Sequence, residues 1–172
     1  MRSHTVLSAS LALAILACTS EQAPTYPSAS TSSPAATRAG PLKQDFVKGT
    51  AEHIGADPPF PVIQARINAR SDATGADPKG FIASEVPSLG TRLRSRVTCL
   101  SVRGNEATIG IEIVKSSDPS LEGKGQLISV IDGSPDRIAG FPPTSTPPTV
   151  CPALFFNVPV ISGDYVIHDA SP

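Results

Sequence analysis

Three arginines spaced by two residues form the pattern in this sequence that is best suited to binding an anion. Arg92, Arg94 and Arg96 would project from one face of a β-strand, because successive side chains alternate between its two faces. Guanidinium groups match phosphate and carboxylate oxygens bidentately. With Arg66 and Arg70, they predict a basic face for an anionic partner such as a phosphorylated envelope polymer, a lipid headgroup or an acidic surface protein. The favoured interpretation is a solvated strand face whose charges discourage edge pairing.

Two loops that contain aspartate could offer oxygen ligands to Ca²⁺. Asp72, Thr74 and Asp77 lie in the first loop, and Asp132 and Asp136 lie in the second. Neither spacing follows the calcium-binding loop of EF-hands, and aspartate and threonine are common in turns because their side chains hydrogen-bond the local backbone. Turn formation is therefore the favoured interpretation, and we predict no metal and no cofactor.

Known catalytic motifs are missing from the sequence. Its three histidines are His4, His53 and His168, and none stands in a motif with a serine or cysteine nucleophile. There is no Gly-x-Ser-x-Gly, no His-Glu-x-x-His and no phosphate-binding glycine-rich loop. We therefore predict a protein that is not an enzyme. Because catalytic residues can come together only in the fold, a hydrolase or lyase acting on an envelope polymer is the alternative.

The cysteines within the predicted domain favour a disulfide. Cys99 and Cys151 are an even pair, and an exported compartment permits a bond between them. Two buried free thiols, or a catalytic or metal-binding pair, are the alternatives.

The N-terminus has the features of an export signal. Arg2 precedes an apolar stretch over residues 6–17, which is too short to span a bilayer and is typical of an export signal. The run Ile15-Leu16-Ala17-Cys18 resembles the lipobox, which is cleaved before a lipidated cysteine. The resemblance implies a signal peptide over residues 1–17 and a lipid anchor on Cys18, at the outer membrane or at a periplasmic or extracellular face of the envelope. Secretion without an anchor is the alternative.

Composition separates a linker from a folded domain. Residues 18–40 are dominated by Ser, Thr, Ala and Pro without apolar periodicity, which predicts a flexible tether. Residues 41–172 are predicted to form a single β-rich domain, because a chain of 172 residues leaves little room for a second core. The net charge of -1 supplies no global basic field, so nucleic acid is not an expected partner.

Short strands must position these side chains. With 18 Pro and 13 Gly, the chain favours short elements joined by turns over long helices. Residues 62–70 alternate between apolar and polar side chains, and residues 91–102 and 106–114 flank the short connection Arg103-Gly104-Asn105, which predicts a hairpin. Further strands are predicted over residues 42–53, 81–86, 126–132 and 164–169.

Antiparallel hairpins without a helical period predict an all-β fold. An antiparallel β-sandwich and a small, partly open β-barrel of about seven to nine short strands both fit the spacing. The proline-rich residues 139–159 predict a long surface excursion, fastened to the sheet through Cys151, rather than a central strand.

Four stretches of sequence carry a resemblance to a group of known proteins. They are Ser71-Asp72-Ala73-Thr74-Gly75, Val97-Thr98-Cys99-Leu100, Gly104-Asn105-Glu106-Ala107-Thr108-Ile109-Gly110 and Gly163-Asp164-Tyr165-Val166-Ile167-His168-Asp169-Ala170. Taken in order, they resemble a group of uncharacterised bacterial extracellular domains over residues 45–170. The resemblance implies an exported β-domain without an established activity, so it carries over no catalytic or binding residue.

Three functions are compatible with these features. A noncatalytic envelope module that binds or scaffolds through its sheet face or loops ranks first, because a predicted anchor, tether and disulfide accompany missing catalytic motifs. A structural domain without a ligand ranks second, and the envelope-polymer hydrolase or lyase ranks third.

Overall fold

The computed structural model describes residues 44–55, 60–154 and 158–170. The predicted signal peptide, the predicted lipidation site Cys18 and the predicted tether lie outside these residues. The described residues form eight strands and two single-turn 3₁₀ helices, the helices at Pro87–Leu89 and Pro119–Leu121. The strands are β1 (Gln44–Ile54), β2 (Val62–Asp72), β3 (Lys79–Val86), β4 (Thr91–Arg103), β5 (Glu106–Ser116), β6 (Gly125–Ile131), β7 (Arg137–Gly140) and β8 (Val158–His168).

The eight strands close into one antiparallel barrel in which spatial order follows chain order. Each strand pairs with the next, and β1 also pairs with β8, from Phe46 opposite His168 to His53 opposite Val160. The predicted all-β class and the predicted antiparallel arrangement are confirmed. Of the predicted architectures the barrel is the one formed, and it is closed rather than partly open, so both free sheet edges are removed.

The barrel interior is filled by aliphatic side chains that alternate with exposed residues along each strand. In β2, Ala65, Ile67 and Ala69 are buried while Arg66 and Arg70 are exposed, as the period of two predicts. An eight-stranded barrel is just wide enough for side chains to fill. The apolar cluster comprises Val47, Ala51, Ile67, Ala69, Ile82, Val97, Leu100, Val102, Ala107, Ile109, Ile111, Ile128, Val130, Ile138, Val160 and Tyr165.

Tyr165 is the largest fully buried side chain. Its hydroxyl donates to the carbonyl of Ala65 at 3.4 Å, so its polar end is satisfied inside the wall. Gly49 lies opposite it on β1, and a Cβ there would come within 2.7 Å of the tyrosine ring. Burial raises the pKa of Tyr165 and the carboxylate of Asp136 raises it further, so the hydroxyl stays neutral.

Part of the proline-rich region was wrongly predicted to be a surface excursion. Residues 137–140 form β7, and β8 begins at Val158, with Pro159 as its second residue. The ladder between β7 and β8 consists of Arg137 with Pro159 and Ile138 with Val158 among the described residues. Proline is tolerated because it stands at the start of a strand, beside a ladder that is already ending.

Residues 141–154 of this region do cross the outer surface of the barrel, and they are called the strap. Thr144 exchanges two backbone hydrogen bonds with Gly125 of β6, at 2.9 and 2.8 Å. The strap then passes over two glycines: a Cβ on Gly125 would lie 2.5 Å from Pro147, and one on Gly110 would lie 3.0 Å from Pro148. The absence of side chains at these positions lets the strap lie against the wall.

The predicted disulfide is confirmed and fastens the end of the strap. Cys99 and Cys151 are bonded across 52 residues, with Cα atoms 5.8 Å apart. Beside them, the Thr98 hydroxyl donates to the carbonyl of Pro148 at 2.6 Å. The pairing register of β4 with β5 shifts between Val97 and Cys99, and this β-bulge turns the Cys99 side chain out of the barrel toward the strap.

Candidate functional site

The outer face of β2 to β5 brings together four of the five arginines predicted from the sequence. Arg92, Arg94 and Arg96 are all exposed on β4, on the face opposite the buried Ser95 and Val97. Through β3, the register places Arg66 of β2 in the same row as Arg94, with Ala83 between them. We call this surface the basic face.

Arg70 lies at the margin of the basic face. It pairs with Lys79 at the beginning of β3. The β3–β4 ladder stops at Phe81 and Arg96, so no β4 residue lies across from Lys79.

Two of the arginines are already neutralised by glutamates on neighbouring strands. Arg92 donates to Glu85 of β3 at 3.0 Å, and Arg96 donates to Glu112 of β5. Exposed ion pairs of this kind contribute at most about 1 kcal/mol to stability. They nevertheless occupy both guanidinium groups, so the free positive charge of the basic face lies elsewhere.

The free charge lies in the row between these two ion pairs. Arg94 stands directly opposite Lys115 of β5, and neither side chain has an acidic partner among the described residues. Arg66 lies over the ring of Phe81, with its guanidinium carbon 5.7 Å from the ring centroid. The half-buried Ala83, whose side chain is only a methyl group, separates Arg66 from Arg94. We call Arg66, Ala83, Arg94 and Lys115 the basic row.

A cleft opens at one border of the basic face, where β3 and β4 part. It has a volume of about 470 Å³ and is lined by Pro78, Lys79, Gly80, Arg96, Val97 and Thr98. The bulge of β4 carries its backbone away from β3 beyond Arg96. The two cations in its lining, Lys79 and Arg96, already pair with Asp77 and Glu112, so the cleft adds no unpaired cation to the basic face.

Lys79 and Lys115 were not among the residues predicted to form this face. Lys115 follows an apolar run and its strand was predicted to end at residue 114, so it had no predicted place. The register of the β4–β5 hairpin could have found it. Counted back from Arg103 and Glu106, that register sets Arg94 opposite Lys115, because the bulge at Thr98 is offset by a second one at Val114.

The first aspartate loop hydrogen-bonds its own backbone, as turn formation predicts. One oxygen of Asp72 accepts from the backbone amides of Thr74 and Ala76 and from the Thr74 hydroxyl, at 2.7 to 2.9 Å. The hydrogen bonds from Thr74 are the main reason that the pKa of Asp72 lies below its ordinary value. Within the described part of the chain, no group of three or more His, Cys, Asp or Glu side chains is arranged to hold a metal ion.

The second loop closes the barrel. Asp136 is buried, and its carboxylate accepts from the backbone amides of Tyr165 at 2.6 Å and Gly133 at 2.9 Å. The carboxylate of Asp132 accepts from the amide of Ile167 at 3.0 Å. These carboxylates therefore accept hydrogen bonds from amides of β8 that lie beyond its short ladder with β7.

The two described histidines lie at opposite ends of the ladder between β1 and β8. His53 is near the end of β1 and is 7 % exposed, with an Nδ1 atom that has no hydrogen-bond partner among the described residues. Burial lowers the pKa of His53, so its neutral form is favoured. His168 stacks on Phe46 at the other end of the strand, with ring centroids 5.1 Å apart. The described residues therefore offer no observation that favours a hydrolase or lyase, and that alternative stays a prediction.

Comparisons with protein-family profiles, with curated proteins and with solved structures found no match to this chain. The resemblance to bacterial extracellular domains therefore stays a prediction. Among the described residues, no helix is both long enough and apolar enough to cross a membrane.

Proposed function

We propose that this protein is a lipid-anchored envelope module that binds an anionic envelope component, without catalysis, through its basic face. The observation that carries the proposal is the position of Arg94 opposite Lys115, with no acidic partner for either among the described residues. Like charges directly opposite each other destabilise a sheet. A phosphate or carboxylate group between them would remove that repulsion and accept hydrogen bonds from both.

The surroundings of the basic row support recognition of a polyanion. Arg66 and Arg94 stand on alternate strands, so their backbones are about 10 Å apart across the half-buried Ala83. Two cations at that separation can contact two anionic groups of one polymer. The ion pairs of Arg92 and Arg96 border the row on both sides, and the stacked ring of Phe81 supports Arg66.

The architecture is consistent with work outside the cytoplasm. The Cys99–Cys151 bond requires an oxidising compartment to persist. The predicted lipid anchor at Cys18 and the predicted tether over residues 18–40 would hold the barrel near a membrane while leaving the basic face free to contact other envelope components.

Binding of inorganic polyphosphate to the purified full chain tests this proposal. We expect the double variant Arg94→Gln with Lys115→Gln to bind about tenfold more weakly, because two exposed ionic contacts contribute up to about 1 kcal/mol each. The matched control is Arg92→Gln, whose guanidinium already pairs with Glu85, and it should bind nearly as the parent does. Equal losses in the two variants, or no binding by the parent chain, would contradict the proposal.

A further inference from the structure

The exposed apolar side chains of this barrel are concentrated at one end. Eight large apolar side chains are exposed among the described residues, and five of them surround the end where β1 stops and β2 begins. These five, called the apolar rim, are Ile54, Phe60, Val62, Leu89 and Ile161. Phe60, Leu89 and Ile161 are each more than half exposed, at 55 %, 58 % and 56 %. Single exposed apolar residues are ordinary, whereas a cluster of them indicates an interaction surface.

The sheet register makes the apolar rim continuous. Ile54 of β1 lies directly opposite Val62 of β2. Ile161 lies beside them on β8, where the pairing register with β1 shifts between Glu52 and His53. Leu89 belongs to the 3₁₀ helix between β3 and β4, and that helix contacts β2.

Phe60 lies next to the base of the β1–β2 connection and has a constrained backbone. The amide of Gly55 donates to the carbonyl of Pro61 at 2.8 Å and closes the base of the β1–β2 connection. Phe60 itself has a φ of 54°, a left-handed conformation that is unusual for a bulky residue. An aromatic side chain is thus exposed to solvent on an unfavourable backbone conformation. Such strain is typical of residues at functional sites.

The basic row lies on the flank of the same end of the barrel. Arg66 is four residues from Val62 along β2, or about 13 Å, and Arg94 and Lys115 share its row. Long cationic side chains can extend toward a charged layer while their stems stay on the protein. On the other flank, Glu52 accepts from Gln64 at 2.9 Å and from Ser162 at 3.0 Å, so an acidic side chain rather than a cation adjoins the rim there.

We propose that the apolar rim inserts into the surface of an anionic lipid bilayer, with the basic row contacting the phosphate groups of the lipids. This inference rests on the proposed function, since it identifies lipid headgroups as the anionic partner of the basic face. A bilayer fits because the apolar side chains project from a strand end while the cations lie behind them, which is the order of acyl chains and headgroups. The one-sided charge predicts that the barrel inserts tilted toward β2 to β5.

The absence of tryptophan from the sequence allows a direct test with a single introduced reporter. The parent is the full chain carrying Cys18→Ala, so that no acyl chain at position 18 contributes to binding. Phe60→Trp places the reporter on the rim, and Val150→Trp places it on the strap at a residue that is 73 % exposed. Each variant is mixed with vesicles of phosphatidylcholine and phosphatidylglycerol, or of phosphatidylcholine alone.

We expect the emission of the Phe60→Trp chain to shift to shorter wavelength with the anionic vesicles and to be quenched by a lipid-soluble quencher. The Val150→Trp chain should show neither change, and adding Arg94→Gln with Lys115→Gln should weaken vesicle binding several-fold. The inference would be overturned by an unchanged spectrum of the Phe60→Trp chain or by equal shifts from both reporters. A concentration-dependent shift without vesicles would also overturn it, because it would indicate a second copy on the rim. Polyphosphate binding that persists while insertion fails would leave the proposed function standing and remove this inference alone.

Discussion

The basic face and the closing side of the barrel use charged residues in opposite ways. On the basic face, Arg66, Arg94 and Lys115 point to solvent without acidic partners among the described residues. On the closing side, formed by β6 to β8 and the strap, the carboxylates of Asp132 and Asp136 accept from backbone amides of β8. Charge in the first region is available for a partner, whereas charge in the second is used by the fold.

The difference follows from how much backbone ladder each region has. β2 to β5 pair along most of their lengths, so their backbone amides do not depend on carboxylate side chains for hydrogen bonds. β7 has four residues and pairs with β8 through two of them among the described residues. The amides of β8 left without a strand partner are buried polar groups, and carboxylates satisfy them. A charged residue can therefore be interpreted only together with the local backbone pairing.

Removal of the disulfide is expected to have the largest effect on the stability of the closing side. We expect Cys99→Ser with Cys151→Ser to lower the free energy of unfolding by about 4 kcal/mol, because the bond closes a long loop in the unfolded chain. Urea denaturation of the variant and the parent measures this difference. Reduction of the parent should reproduce the loss, and equal stability of the oxidised and reduced proteins would show that the ladder and the strap contacts suffice.

Asp136 is the next most sensitive position. We expect Asp136→Ala to lower the free energy of unfolding by about 3 kcal/mol, since it leaves the amides of Tyr165 and Gly133 without their acceptor. Asp136→Asn retains one acceptor oxygen and should cost less. Arg94→Ala, on the basic face, should change stability by no more than about 0.5 kcal/mol. Similar losses from Asp136→Ala and Arg94→Ala would break the contrast between the two regions.

The close contact between the strap and Gly125 can be tested by adding a single methyl group. We expect Gly125→Ala to cost about 2 kcal/mol, because the added Cβ would meet the backbone of Pro147 and Thr146 at 2.5 Å and the strap would have to move. Gly140→Ala on β7 is the matched control, since its Cβ would meet the end of the flexible Gln126 side chain at 3.2 Å. Thermal unfolding of both variants gives the comparison, and a Gly125→Ala protein as stable as the control would mean that the strap is loosely seated.

The smallest expected effect is a dependence of stability on pH at His53, where β1 meets β8. Burial lowers the pKa of this side chain below its ordinary value of 6.5, so the unfolded chain takes up the proton first as the pH falls. Stability should be unaffected by His53 above about pH 6.5 and should decline below it, at up to about 1.4 kcal/mol per pH unit until the folded pKa is reached. His53→Leu should abolish this decline in denaturant titrations at pH 5 to 7. A decline of the same size in the variant would assign it to other groups.

The sequence predicted the long strands and the disulfide but not the way the barrel closes. The alternation of residues 62–70 and the connection at Arg103-Gly104-Asn105 identify strands because periodicity and turn residues are local signals. β7 was missed because it has four residues next to a proline-rich run, and its pairing with β8 is a long-range contact that no local pattern encodes. The spacing of Arg92, Arg94 and Arg96 predicted their shared exposed face correctly. It could not predict which of them are neutralised, because Glu85 and Glu112 lie on other strands.

The hydrogen bond between the two ends of the described chain has a consequence for topology. Asp45, at the start of β1, accepts from the amide of Ala170 at 2.8 Å, just beyond β8. Since strand order around the barrel equals chain order, no strand is a necessary starting point. A circular permutant could join residue 170 to residue 44 through a short linker and begin in the exposed connection around Pro119–Leu121. It would keep every pair of neighbouring strands and would lose only the covalent connection between β5 and β6. The same set of neighbouring strands could therefore be formed by chains that begin at different connections of the barrel.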